Sequence, residues 1–453
     1  MGFANLEDLL AIEKESKWED RDLPATLFGL LSRTAQSFPN RPAVSYQILS
    51  GPKDKAETLT WSELHTKTIQ AANMFRSLGV GSKDVVAYIL PNANETVLTL
   101  LGGAIAGIAN PINPLLDAEQ IGAILRETNA KVVVTMKAFP KSDVPQKAAK
   151  AVALAPNVTS VIEVDLNRYL TPPKSWIVPL IRPKNPVEHS AKIYDFNSLL
   201  SLQNTKLDFD DVEEDRVAAY FHTGGTTGVP KVAQHTYSGM IYNGWLGHEL
   251  LFTEEDNVIC PLPLFHVFAC HVILMAMVSS GAHVVFPTPQ GYRGDGVFDN
   301  FWKLIERWQI TFVITVPTAI SALMQRPVDA DISSVKTSFS GSAPLPLELF
   351  RRFEEASGVT IVEGYGLTEC SPVVSVNIPG KVRVGTVGHL VPETECKVVD
   401  DEENEVPPGE RGELWVRGPQ VMLGYWEKSS TEEQTYSSSD WFKTGDLVEI
   451  SQD

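Results

Sequence analysis

Apolar runs of strand length recur along this chain with helical stretches between them, and that alternation limits the folds open to it. VVAYIL (Val85–Leu90) precedes a helical run from Glu95 towards Ile108, and KVVVT (Lys131–Thr135) follows one that starts at Ala118. VAAYF (Val217–Phe221) comes before a helical stretch around Ser238–Leu251, and FVITV (Phe312–Val316) before Thr318–Gln325. TIVEGYG (Thr360–Gly366) follows a predicted helix over Leu347–Ala356, where Leu347, Phe350 and Phe353 make one apolar face. Strands alternating with helices predict βαβ units and mostly parallel sheets. Ligands in such sheets bind beyond the carboxyl ends of the strands. From Gly385 the signals change to short β runs around an acidic turn: CKVVD, DEENEVPPGERG and ELWVRG. These predict a smaller, distorted antiparallel unit. The expected fold class is α/β, with α/β subunits over about 1–210 and 211–384 and the small β unit over 385–453.

Two stretches stand out. The longest apolar run, around Val267–Phe286, includes His271, Gly281 and His283, and reads as a buried helix turning into a strand. TPPKSWIVPLIRPKNP (Thr171–Pro186) carries five prolines among large apolar residues. It is expected to be an extended, ordered surface excursion packed by its own apolar side chains, with a substrate entrance as the alternative.

A formal charge of −18 over 453 residues argues against nucleic acid as a partner and against a polybasic membrane anchor. A small anionic ligand remains open, because backbone amides hold anions whatever the net charge. The four cysteines form no CxxC pair and no metal-ligand spacing, which suits a reducing compartment. The acidic, mixed N-terminus is no secretory signal, and no transmembrane segment is expected, so the cytoplasm is the expected setting.

Just after VAAYF lies FHTGGTTGVPKV, with three glycines, three threonines and a lysine in twelve residues. Glycines let backbone N–H groups converge on an anion, and Thr223, Thr226 and Thr227 add hydroxyls. The Walker pattern fails here: Val229 and Pro230 stand where Gly-Lys is required, and Val232 replaces the Mg²⁺-binding Ser/Thr. Downstream come GSAPLP (Gly341–Pro346), GYGLTE (Gly364–Glu369) and KTGD (Lys443–Asp446).

These motifs, in this order and separation, resemble those of the adenylate-forming superfamily: acyl- and aryl-CoA synthetases, luciferases and peptide-synthetase adenylation domains. The resemblance runs from about Leu27 to the last residue. It implies that Thr223, Gly224, Gly225, Thr226, Thr227, Gly228 and Lys231 form a loop closing on the β- and γ-phosphates of ATP. Gly341, Ser342 and Ala343 would flank adenine, with Glu363, Gly364, Tyr365 and Gly366 on its other side and Tyr365 stacked on the base. Thr368 would reach the α-phosphate, Glu369 and Thr223 would help hold Mg²⁺, and Asp446 would accept both ribose hydroxyls. His266 would gate the acyl pocket, so Lys231, Thr368, Glu369 and His266 are the expected catalytic set.

The implied reaction joins a carboxylic acid to ATP as an acyl-adenylate, then passes the acyl group to CoA. An acyl-AMP ligase loading a carrier protein, or a non-catalytic nucleotide-binding remnant, are the alternatives. The resemblance places the acyl pocket around Trp245, His266–Phe268, Thr315–Val316 and Gly341. Those positions are apolar or small, which favours a fatty or other apolar acid over an amino acid. The family's C-terminal, lysine-bearing domain is expected after TGDL and lies outside this chain, which predicts weak turnover by these residues alone. A homodimer is left open.

Overall fold

The computed structural model describes residues 6–184, 187–223, 230–426 and 435–451. Among them the strands build three sheets. The first runs, edge to edge, Lys192–Asp195, Ser160–Val164, Ala130–Met136, Val85–Ile89, Ile108–Pro111, Val217–Thr223 and Lys231–Thr236. All its neighbours are parallel except the last pair, which is antiparallel. The second sheet has nine strands, in the order His389–Leu390, Val373–Val376, Ile361–Gly366, Thr337–Ser340, Phe312–Thr315, Asn257–Ile259, His283–Phe286, Pro42–Gln47 and Ala56–Thr60. It is parallel through its centre and antiparallel at both ends. Glu395–Val399, Arg411–Arg417 and Phe442–Glu449 form the small antiparallel sheet.

The strands are shared out across the expected division near residue 210. Pro42–Gln47 pairs in parallel with His283–Phe286, setting Val44, Ser45 and Tyr46 against Val284, Val285 and Phe286. Conversely, Val217–Thr223 and Lys231–Thr236 close the first sheet, through Ala219 opposite Ala109. Buried strands find partners by packing on both faces, not by nearness along the chain. One apolar core accordingly spans both large sheets, with Tyr46, Trp61, Phe75, Phe221 and Phe286 all fully buried.

Local chemistry starts the helices that carry this core. Thr60 caps the helix Trp61–Ser77 with Glu63 returning the bond, and Asp117 and Gln120 do the same for Ala118–Glu127. Thr236 caps Tyr237–Leu250 by accepting from the Gly239 N–H. The long apolar run folds as anticipated: a buried helix, π-type over Phe268–Met275 and α over Ala276–Ser280, leads to the strand His283–Phe286. Gly281, at φ +80°, makes the turn between them in a conformation that suits glycine.

The Thr171–Pro186 excursion departs from expectation. It forms short helical turns, Lys174–Ile177 and Val178–Leu180, and most of its apolar side chains face outward instead of packing on one another. Asn185 and Pro186 lie outside the described residues. All four cysteines are free thiols, with Cys260, Cys270 and Cys370 buried. Among the described residues no helix is long and apolar enough to cross a membrane.

Candidate active site

The strand Val217–Thr223 ends at its carboxyl edge with Thr223 set opposite Lys231 on the returning strand. Gly224, Gly225, Thr226, Thr227 and Gly228 lie outside the described residues, so their expected phosphate contacts go undescribed. Lys231 places its Nζ 4.7 Å from the centre of the Tyr425 ring. The hydroxyl of Tyr425 donates to Oε1 of Glu369 at 2.6 Å. Tyr425 thus touches a cation with its ring and a carboxylate with its hydroxyl, although 194 positions separate Lys231 from Tyr425 in sequence.

Backbone pairing delivers Tyr425 there. Ala233 and Tyr425 form an antiparallel bridge, Gln234 N–H donates to Gly424 O at 3.0 Å, and Trp426 N–H to Val232 O at 2.9 Å. Met422 N–H meets Glu369 O at 2.8 Å, tying the same segment to the GYGLTE motif. Burial and the neighbouring Glu369 charge both push the Tyr425 phenol upward, so it stays a donor.

A second pair joins the nucleotide motifs. Tyr365 donates its hydroxyl to Oδ2 of Asp446 at 2.6 Å, across 81 positions of sequence. Burial, then the bond to Asp446, raises the Tyr365 pKa. Gly445 holds a positive φ of 75° and donates its N–H to Glu413 Oε1 at 3.0 Å, which turns Asp446 towards Tyr365. Tyr365 and Tyr425 pack against one small apolar cluster containing Cys370 and Phe442, so the two polar pairs share a support.

The remaining motif residues have mixed roles. Glu363 is buried and accepts the Leu345 N–H at 2.9 Å, which fastens the GSAPLP loop to its neighbouring strand. Burial raises its pKa against that stabilising bond. Ser342 and Ala343 lie exposed at the rim, with Ser342 at φ +69°. Gly341 packs against Phe268, and a Cβ at Gly364 would come 2.7 Å from Cζ of Phe339. At Gly366 a Cβ would overlap the Pro372 carbonyl, so only glycine fits there. Thr368 is half-buried.

His266 heads the π-type helix. The residue is exposed, yet the protein around its ring lowers its pKa by desolvation, and Nδ1 accepts the Phe268 N–H at 3.3 Å. The neutral ring therefore carries its proton on Nε2. Behind it lies a buried pair that sequence reasoning missed: His235 Nδ1 and His271 Nε2 are 2.9 Å apart, with Ser371 Oγ 3.3 Å from the same Nδ1. Burial drops His235 to about 3 and holds His271 well below its ordinary value.

An apolar slit opens between the helices Tyr237–Leu250 and Phe268–Ser280, lined by Leu246, Leu250, Val272, Phe339, Val373 and Val376. Its free volume is about 20 Å³, room for about one water. None of the expected acyl-pocket residues, Trp245, His266–Phe268, Thr315–Val316 and Gly341, is among its lining residues. The Trp245 ring packs against Trp18 at 5.7 Å and under the Arg21 guanidinium at 4.3 Å, because the N-terminal segment covers that face of the helix.

Among the described residues no group of three or more His, Cys, Asp or Glu could hold a metal. A lone carboxylate, Glu369, fits a hard cation carried in by phosphates rather than a protein cage.

Residues 31–426 match the family of AMP-binding enzymes. The chain is 32% identical to a marinolic acid–CoA ligase of Pseudoalteromonas sp. over 99% of its length and 67% of that protein's. It is 30% identical to a long-chain-fatty-acid–CoA ligase of Bacillus subtilis, over 93% of this chain and 74% of that one. The crystal structure of the anthranilate CoA ligase AuaEII in complex with anthranoyl-AMP superposes with a TM-score of 0.81 at 25% identity, covering 96% of this chain and 78% of that one. Match, identity and fold agree with the motifs on one conclusion: the chain belongs to the AMP-binding enzyme family.

Proposed function

We propose that this chain carries the adenylate-forming site of an AMP-forming acyl-CoA synthetase for a fatty or other apolar carboxylic acid. One observation carries the reading: the apolar slit ends on Phe339 and Val376, whose strands flank the one that presents Tyr365 to Asp446. An apolar chain in the slit brings its carboxylate up to the nucleotide motifs. The long-chain fatty acid in the name of the Bacillus subtilis relative supports the same substrate class.

In this proposal Tyr365 faces the adenine and Asp446 accepts the ribose hydroxyls, its two oxygens matching two donors. The acid's carboxylate attacks the α-phosphorus, the bond to the β-phosphate oxygen breaks, and pyrophosphate leaves with the electron pair. A CoA thiolate then adds to the acyl carbonyl and AMP departs. Attack by an anion on a triphosphate is slow unless charge is neutralised, and Lys231 supplies a fixed cation there. Mg²⁺, which Glu369 and Thr223 would hold, supplies further charge neutralisation on the phosphates when bound. Thr368 would donate to the α-phosphate, and His266, neutral with its proton on Nε2, would gate the approach of the acid. Little acid–base chemistry is required; placement and charge carry the rate.

The slit is too narrow for an acyl chain as it stands, so binding parts the two helices that enclose it. Carboxylate-dependent ATP–pyrophosphate exchange by the full-length protein, over acids of graded length and aromaticity, tests the reading. Exchange with apolar acids supports it, and no exchange with any acid refutes it. Product formed with CoA against a carrier protein then identifies the acceptor.

A further inference from the structure

We propose that the Thr171–Lys184 excursion is a docking knob for an anionic lipid surface, in which Trp176, Ile177, Leu180 and Ile181 enter the interface and Lys174 and Lys184 meet the headgroups. The four apolar side chains are 69%, 47%, 84% and 57% exposed. Spaced i, i+1, i+4 and i+5 on consecutive helical turns, they share one outward face while Val178 points in and is buried. Scattered exposed apolar residues need no explanation, but a contiguous knob with a tryptophan in it does. Tryptophan suits a boundary where one end of the ring is dry and the other wet.

The knob is held, not loose. Arg182 grips both oxygens of Asp165 at 2.7 Å and donates to Ala138 O at 2.8 Å; Asn167 donates to Ser175 O at 3.1 Å. Its apolar face is therefore presented at little cost in ordering on contact.

Charge selects the partner. From Leu166 to Val187 the chain has four basic residues and no acid, within a protein of formal charge −18. Arg168 and Arg182 are engaged by Glu57, Glu95 and Asp165, whereas Lys174 and Lys184 are exposed with no acidic partner among the described residues. Asp54 and Lys55 share a cleft of about 110 Å³ with Lys174 at the foot of the knob and offset one another. Two free cations beside an apolar face complement anionic headgroups over acyl chains. The excursion follows the strand Ser160–Val164, parallel to Val217–Thr223, so it leaves the sheet at the same edge as the phosphate motif.

Flotation of the chain with equimolar phosphatidylcholine–phosphatidylglycerol vesicles tests this. Binding is expected, weaker with phosphatidylcholine alone and weakened by salt. Trp176→Ser with Leu180→Ser should lower the partition about tenfold or more. Lys174→Glu with Lys184→Glu should remove the preference for anionic vesicles, and it keeps the inference testable should the first variant misfold. No flotation by the wild type, or equal flotation by both variants, overturns the proposal. So does a wild-type dimer in sedimentation that the Trp176→Ser, Leu180→Ser variant abolishes, because a second copy would then be what covers the knob.

Discussion

Tyr425 donates its phenolic hydroxyl to Glu369 at 2.6 Å while its ring faces the ammonium of Lys231 at 4.7 Å. One side chain thereby positions both charges proposed to act on the triphosphate. Tyr425→Phe keeps the ring and its packing but deletes the bond to a carboxylate, worth ~1.5–3 kcal/mol. ATP–pyrophosphate exchange should fall about tenfold or more, with the thermal midpoint little changed. Wild-type exchange in that variant would remove Tyr425 from the site.

The Tyr365–Asp446 pair predicts an effect on nucleotide affinity. Asp446→Asn exchanges one acceptor oxygen for an NH₂ donor and removes the charge, leaving one oxygen to accept where the carboxylate offers two to the Tyr365 and ribose hydroxyls. The KM for ATP should rise about tenfold, the size of one charge-assisted hydrogen bond. Tyr365→Phe retains the stacking face and should change it less. Equal KM values for wild type and Asp446→Asn would show that ribose is held elsewhere.

Buried histidines make stability fall in mild acid. Burial lowers His222 to about 4, His235 to about 3 and His283 to about 4, against an ordinary value of 6.5. Below 6.5 the unfolded chain takes up protons that the folded one refuses, so stability drops as pH falls from there towards 4. Each such histidine contributes a loss of ~1.4 kcal/mol per pH unit. Urea midpoints should be flat above pH 7 and decline between 6.5 and 5, less steeply in His283→Gln. A flat profile to pH 5 would contradict the burial of these rings.

Local chemistry was readable in the sequence, and distant pairing was not. VVAYIL and KVVVT announced the strands Val85–Ile89 and Ala130–Met136, because a strand buried on both faces needs an unbroken apolar run. GYGLTE and KTGD pointed to Tyr365, Glu369 and Asp446. Tyr425 went unseen: it reaches Glu369 through a bridge to Ala233, and no periodicity announces such a bridge. His235 and His271 lie 36 positions apart and meet only when the strand and the π-type helix pack. Trp245 read as a pocket residue from the family resemblance; the N-terminal Trp18 and Arg21 that claim its ring could not be foreseen. Exposure of Trp176 was likewise hidden, since composition alone suggests burial.

The slit itself yields the sharpest test of the proposed substrate class. Its two helices approach closely because Gly244 and Gly247 leave room: a Cβ at Gly244 would come 2.9 Å from the Met275 carbonyl, and one at Gly247 would overlap the Cβ of Ala276. Gly247 also lines the slit. Gly247→Ala must push the helices apart or shift them, at a cost of ~1–3 kcal/mol in stability. The same methyl intrudes on the path proposed for the acyl chain. Exchange with long acids should therefore fall relative to short ones, by about tenfold or more if a methylene or two loses its place. Urea unfolding measures the first effect and exchange across chain lengths the second. A destabilised variant with unaltered chain-length preference would mean that the acid lies outside this slit.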